Sequence, residues 1–268
     1  MSRPHKRNDE SSRMLVEERR RHIVELVDKQ GRVTVDELSQ QFGISAVTIR
    51  GDLGALAQAG IITRSHGGAI PTTPTRIDTP LTVKETRRLA EKRRIGTAAT
   101  RLISDGETVI LDSGSTTAEI ARQIRQRKWK SLTIITNALN IAMELNGLPG
   151  VRVMMLGGML RPTAYSLTGP DAEQALSKLS ADRLFLGVDG LDPLVGVTTP
   201  DPQEATLNAL MIRVSRETVA VLDATKLGQR SLSVIAPIKD INVVVTDTTA
   251  SRKDVEALRE RGVQVMLV

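Results

Sequence analysis

The chain has 268 residues, 40% of them apolar and 25% charged, which is enough for one large core and a small second domain. With no Cys there is neither a disulfide framework nor a thiolate metal site, and three His (His5, His22, His66) without a second ligand at metal spacing argue against zinc. No stretch approaches the ~20 apolar residues of a membrane span, and 1% aromatic residues argue against single-strand binding by base stacking. The net charge of +6 is lopsided: residues 1–95 hold 18 Lys+Arg against 12 Asp+Glu, residues 96–268 hold 19 against 19. Such a distribution is the electrostatic footprint of a nucleic-acid-binding end joined to a neutral domain.

Residues 1–14 begin MSRPHKRNDESSR, lack the apolar core of a signal peptide and are expected to be a disordered arm. LVEERRRHIVELVDK, residues 15–29, predicts an amphipathic helix with Leu15, Ile23, Leu26 and Val27 on or near one face. A second helix starts after Thr34, with Val35 and Leu38 apolar and Asp36 and Glu37 in its electropositive first turn. Gly43 ends it, and Ser45 caps a third helix running to about Gln58. That spacing is a helix-turn-helix, whose second member lies in a DNA major groove.

At roughly 100° per residue, Ala46, Ile49, Leu53 and Leu56 of that helix share a packing side. Val47, Thr48, Arg50, Gly51 and Gly54 face away, so Ser45, Val47, Thr48, Arg50 and Gly51 are the candidate DNA contacts on the helix. IITRSHGGAI then predicts a β-hairpin wing, Gly67-Gly68 making its turn and Arg64 and His66 lying near phosphate. These elements make a winged domain over 15–70. Residues 71–81, beginning PTTPTRIDTP, read as an extended linker. Thr82 to Ile103 reads as one helix with a basic face and opens a second domain, residues 82–268.

From Asp105 short apolar runs alternate with helical segments. The runs are 108–112, 132–136, 151–156, 183–188, 218–223, 241–247 and 263–268; the helices are 117–127, 138–146, 171–180, 202–216 and 252–261. This is an α/β domain with a mainly parallel sheet, in which ligands sit beyond the carboxyl ends of the strands. Polar residues gather at those ends. Asp112, Ser113, Gly114, Ser115, Thr116 and Thr117 open a helix whose first amides suit an anion. Thr136 and Asn137, Gly157 and Gly158 with Arg161, Asp189, Glu204 and Lys226 follow. The ligand they suit carries a dense negative group and several hydroxyls: Ser115, Thr116 and the helix N-terminus take the anion, with Lys226 or Arg161 as counter-charge. Asp112, Asn137, Asp189 and Glu204 hydrogen-bond hydroxyls.

ISAVTIRGDLGALAQAGIITRSHGGA resembles the DNA-binding signature of the DeoR-type bacterial regulators, usually a Ser, then Thr-Ile-Arg-Arg-Asp-Leu, then Arg-x-His-Gly-Gly-Ala. Gly51 departs from it, standing where the family generally has Arg or another large polar residue. DSGSTT, TNALNIA, LGGMLRPTAYSLTGPDAE, FLGVDGL, GVTTPDPQEA and DATKLGQRSL resemble the family's effector domain in the same order. The resemblance implies a sensor of phosphorylated sugars on a fold similar to sugar-phosphate isomerases. SLTGP and GVTTP look most like the branch controlling amino-sugar and galactosamine-type catabolism. The expectation is a cytoplasmic, nucleoid-associated repressor acting as a dimer or tetramer on double-stranded operator DNA, without cofactor, metal or membrane. The rival is a sugar-phosphate isomerase or deaminase built on Asp112, Asp189, Glu204 and Lys226. Charge segregation and the DNA-binding signature favour the repressor.

Overall fold

The structure, a computed structural model, describes residues 15–58, 61–65, 67–71 and 78–268. The expected N-terminal arm, His66 and residues 72–77 of the expected linker lie outside the described residues. The chain divides into two compact units, Met1–Thr75 and Arg76–Val268.

In the first unit α1 (Val16–Gln30) ends on Gly31 in the left-handed conformation, and β1 (Val33–Thr34) leads directly into α2 (Val35–Phe42). Thr34 and Glu37 form a reciprocal capping box, the Thr34 hydroxyl accepting from the Glu37 amide and the Glu37 carboxylate from the Thr34 amide. Gly43, at φ +64°, closes α2, and α3 (Ala46–Gln58) follows after Ser45, whose hydroxyl accepts from the Thr48 amide at 3.2 Å. Ile23, Val24, Val27, Val35, Leu38, Ile49, Leu53 and Leu56 form the core with Val33, Ile62 and Ala69. Leu15 does not join it. At 74% exposed it stands at the N-cap, before the helical phase begins.

The wing is β2 (Ile62–Ser65) paired antiparallel with β3 (Gly68–Pro71), and β1 lies along the far side of β3. Ser65 pairs with Gly68, so Gly68 is a strand residue and not half of the turn, contrary to the pattern reading. A Cβ on Gly68 would stand 2.0 Å from the Val33 carbonyl oxygen, and that close approach is why glycine is there.

The second unit opens on two helices where one was expected. The α4 helix (Leu81–Thr86) ends at Arg87, and Arg88, left-handed at φ +52°, turns the chain into α5 (Leu89–Thr100). The carbonyls of Lys84 and Arg87 at this break both accept from the Lys92 ammonium, which is buried and so lies on no basic surface. Then come β4 (Thr108–Leu111), α6 (Ser115–Arg125), β5 (Leu132–Thr136), α7 (Leu139–Leu145) and β6 (Val151–Met155). A hairpin of β7 (Met159–Arg161) and β8 (Ser166–Thr168), which the pattern did not disclose, precedes α8 (Pro170–Leu176) and β9 (Ala181–Gly187). The chain continues through β10 (Gly190–Asp192), β11 (Gly196–Thr199), α9 (Pro202–Val214), β12 (Ser215–Val221) and β13 (Ser233–Ala236). It finishes with β14 (Val243–Thr246), α10 (Arg252–Arg259) and β15 (Gln264–Leu267).

Seven of these strands make one wholly parallel sheet in the order β15-β14-β12-β9-β4-β5-β6. One face is covered by α5, α6 and α7 through Ile95, Ile120, Ile124 and Ile141, the other by α8, α9 and α10 through Leu176, Leu207, Met211 and Leu258. Burial on both faces is why the inner strands read as apolar runs, while the edge strands β6 and β15 stay partly exposed. From β4 the chain steps outward through β5 and β6, then returns to lay β9 on the other side of β4. Between β4 and β9 the strand order reverses, and in such sheets ligands bind beyond the carboxyl ends at that point.

Candidate functional site

Two sites follow from this architecture, one in each unit. On α3 the face opposite the core carries Val47, 76% exposed, with Thr48, Arg50, Gly51 and Gly54 also exposed. A Cβ on Gly51 or Gly54 would meet nothing within 4 Å among the described residues, so space does not demand either glycine. Ser45 and Thr48 lie hydroxyl to hydroxyl at 3.0 Å, and the Arg64 guanidinium donates to the Arg50 carbonyl at 3.2 Å, fastening the wing to the helix. His66 lies outside the described residues. The pattern missed Asp52, 3% exposed on the inner arc of α3, which pairs with Arg19 at 2.7 Å and Arg20 at 2.9 Å. Its signal was available: a lone carboxylate between Ile49 and Leu53 needs a buried cation, and α1 carries three consecutive arginines.

In the second unit, Asp112 at the end of β4 is fully buried and spans the switch point. Its carboxyl accepts from the Ser113 amide at 2.5 Å and from the Gly187 amide of β9 at 3.2 Å. Burial, then the nearby Glu204 charge, push its pKa well above the ordinary aspartate value against those hydrogen bonds. Asp112 therefore braces two strands, and its two oxygens are already engaged. Thr136 is likewise spent: its hydroxyl donates to the Leu111 carbonyl at 2.7 Å and accepts from the Ala138 amide at 3.1 Å. The Thr117 hydroxyl donates to the Gly114 carbonyl at 3.0 Å. Ser113, Ser115 and Thr116 are buried around the start of α6, where the first amides of a helix have no partner within the helix. Gly158 has a steric reason, since a Cβ there would stand 2.5 Å from the Thr168 carbonyl oxygen; Gly157 has open space.

Arg161 ends β7 and meets three carboxylates: Glu204 at 2.5 Å, Asp78 at 2.5 Å and Asp201 at 3.2 Å. Asp201 also caps α9, accepting from the Glu204 amide at 2.8 Å. Burial raises the Glu204 pKa, the Asp189 charge adds to the rise, and Arg161 opposes it. Asp189 lies 2.7 Å from Lys84 and 3.9 Å from Lys226. Burial alone would raise its pKa, but the two lysines outweigh it and hold the group below the ordinary value. Lys84, which the pattern placed in a helix with a basic face, thus joins this cluster of charges.

Lys92 sits beside this cluster. Burial, the largest influence, with Lys226, Lys84 and Arg87 adding to it, lowers its pKa from 10.5 to about 8 against the pull of Asp223. Between those values the unfolded chain keeps a proton that the folded chain has shed, so stability rises with pH through that window. Below it the buried charge costs on the order of 3 kcal/mol. Melts of wild type and Lys92→Met from pH 7 to 10 should diverge, only the wild type gaining stability from Lys92. Parallel curves would contradict the assignment.

Among the described residues, the buried side chains that hold polar atoms with no hydrogen-bond partner include Asn137 Oδ1, Ser166 Oγ, Thr199 Oγ1, Thr246 Oγ1 and both amide atoms of Asn208. All of these but Thr246 lie on adjoining segments. Ser166 stands opposite Arg161 in the hairpin and bridges to Ala138, while Asn137 exchanges hydrogen bonds with Leu167 at 2.8 and 3.2 Å. Asn208 lies one turn beyond Glu204 on α9, and Thr199 ends the strand before that helix. Buried polar groups are normally satisfied, so a cluster of exceptions calls for an explanation. Thr199 stands in the GVTTP run that the pattern places before Glu204, whereas Ser166 and Asn208 escape it because a single inward polar residue leaves no periodic trace.

Residues 19–75 match the family model for the DeoR-like helix-turn-helix domain, and residues 87–248 match that for the DeoR C terminal sensor domain. A candidate aga operon transcriptional repressor of Escherichia coli O157:H7 is 40% identical, covering 94% of this chain and 93% of its own. The HTH-type transcriptional regulator GlpR of Haloferax volcanii is 39% identical over 94% of this chain and 98% of its own. The glycerol-3-phosphate regulon repressor of Escherichia coli K12 is 30% identical over 93% and 98%. Among solved structures, ribose 5-phosphate isomerase A of Methanocaldococcus jannaschii matches 51% of this chain and 53% of its own at 18% identity and a TM-score of 0.37, too slight a likeness to argue from. Both halves of the sequence signature, the winged unit that carries the first and the parallel-sheet unit that carries the second point one way: the chain belongs to the DeoR family of transcriptional regulators.

Proposed function

We propose that this protein represses a sugar-catabolism operon, binding duplex operator DNA as a homodimer or tetramer and leaving it when a phosphorylated sugar enters the strand-end site. The observation that carries the ligand reading is the set of unpartnered buried polar atoms of Asn137, Ser166, Thr199 and Asn208, on the segments next to Arg161 and Glu204. Asn208 offers both a donor and an acceptor, which suits a hydroxyl. The start of α6 suits the phosphate, with Lys226 or Arg161 as counter-charge. The names of the relatives, an aga operon repressor and a glycerol-3-phosphate regulon repressor among them, support a phosphorylated sugar or polyol. In this reading the winged domain covers residues 15–71, the linker 72–77, and the sensor runs on from Asp78.

The isomerase alternative needs a carboxylate free to take a proton from substrate. Glu204 is held by Arg161, and both Asp112 oxygens accept backbone amides. Lys226→Ala tests the ligand site. The variant should keep its operator affinity and need at least tenfold more effector for release, as loss of a charged hydrogen bond of about 1.5–3 kcal/mol implies. An unchanged response would take Lys226 out of the site; a folded variant that no longer binds operator would give it a structural role. Turnover of hexose phosphates by the wild type would favour the isomerase.

A further inference from the structure

Residues 71–81 read, from sequence, as an inert tether. In the structure their C-terminal end is built into the ligand site. Asp78 is three residues past the boundary between the two units, and its carboxylate lies 2.5 Å from Arg161 and accepts from the Thr163 hydroxyl at 2.9 Å. The Leu81 amide donates to the Thr163 carbonyl at 2.7 Å, and Lys84, one turn into α4, lies 2.7 Å from Asp189. Leu81 and Val83 are buried beneath, and Glu85 reaches Arg122 of α6 at a looser 3.6 Å. The two shortest charged contacts on this segment are thus made to Arg161 and Asp189, the residues that also face Glu204 and Lys226.

An anion at that site cannot be neutral towards these pairs. A phosphate group recruits guanidinium donors, and Arg161 already faces three carboxylates. We infer that residues 78–86 are the output strap of the sensor: Asp78–Arg161 and Lys84–Asp189 hold it down, and an arriving phosphate competes with Asp78 for Arg161, freeing the N-terminal end of the strap and the linker that leads to the winged unit. The inference rests on the effector reading above and supplies its route. By linkage, whatever the ligand does to the strap, the strap does to the ligand in equal measure.

The test uses full-length wild type, Asp78→Asn and Asp78→Glu. Asp78 is about a third exposed, so its loss leaves the fold intact, which circular dichroism verifies. Calorimetry measures binding of galactosamine 6-phosphate, glycerol 3-phosphate and inorganic phosphate; fluorescence anisotropy measures operator binding with no ligand and with each probe. Asp78→Asn should bind the effective probe roughly five- to tenfold tighter, at the low end of typical coupling. It should bind operator weaker by a similar factor before any ligand is added, and Asp78→Glu should restore both. If the wild type binds a probe and Asp78→Asn matches it in both affinities, the strap is overturned and the effector reading stands. If the wild type binds none of the probes, the effector reading falls and the strap with it.

Discussion

Asp52→Ala is expected to unfold the winged unit while leaving the sensor sheet folded. Asp52 is 3% exposed and takes both Arg19 and Arg20, and Arg19 is itself almost wholly buried. Removing one partner of a buried ion pair costs about 3–5 kcal/mol. A unit with a single small apolar core has little more than that in reserve. Calorimetry of the full chain should therefore lose its N-terminal transition, operator binding should vanish, and the melting of residues 76–268 should stay put. Asp52→Asn, which can still accept from one guanidinium, should lose less. A winged unit that melts unchanged in Asp52→Ala would mean that the ion pair is incidental to the packing of α1 on α3.

Gly51→Arg should change which operator this protein prefers. Position 51 lies on the exposed side of α3, with open space where a side chain would go, and the family signature has a long polar residue there. Glycine inside a helix costs roughly 1 kcal/mol against alanine, so Gly51→Ala should stabilise slightly and alter sequence preference little. An arginine reaching a guanine edge is worth about 1–3 kcal/mol of discrimination, or roughly ten- to a hundredfold between base pairs. Parallel selections from randomised duplexes by wild type and Gly51→Arg decide it. Identical recovered motifs would mean that residue 51 does not face the groove.

The parts of this molecule that a sequence discloses are those whose cause is local. Thr34 with Glu37, Gly43 and Ser45 set the ends of two helices by capping, and caps are written in neighbouring residues. The inner strands of the parallel sheet are apolar runs because both faces are covered, and with the largely apolar edge strands β6 and β15 all seven were legible with their order in the chain. What stayed hidden is long-range. The break between α4 and α5 depends on Lys92 reaching back to the carbonyls of Lys84 and Arg87, and nothing in TVKETRRLAEKRR marks that lysine as buried. Gly67-Gly68 looks like a turn pair until β1 is seen lying against Gly68. At the strand ends the residue types were legible and their assignments were not. Asp112 and Thr136 use their polar atoms inside the fold, while Ser166 and Asn208, undistinguished in the sequence, hold theirs unpartnered.

The account stands or falls on the sign of one coupling. Full-length wild type is titrated onto a fluorescent duplex recovered by the selection above, first alone, then with galactosamine 6-phosphate, other hexose phosphates, glycerol 3-phosphate and the unphosphorylated sugars. At least one phosphorylated compound should raise the operator Kd by a factor within the usual range of about 5–150 for allosteric coupling, and its unphosphorylated counterpart should leave the Kd unchanged. Operator binding that is unchanged or tightened by every phosphorylated sugar would contradict it.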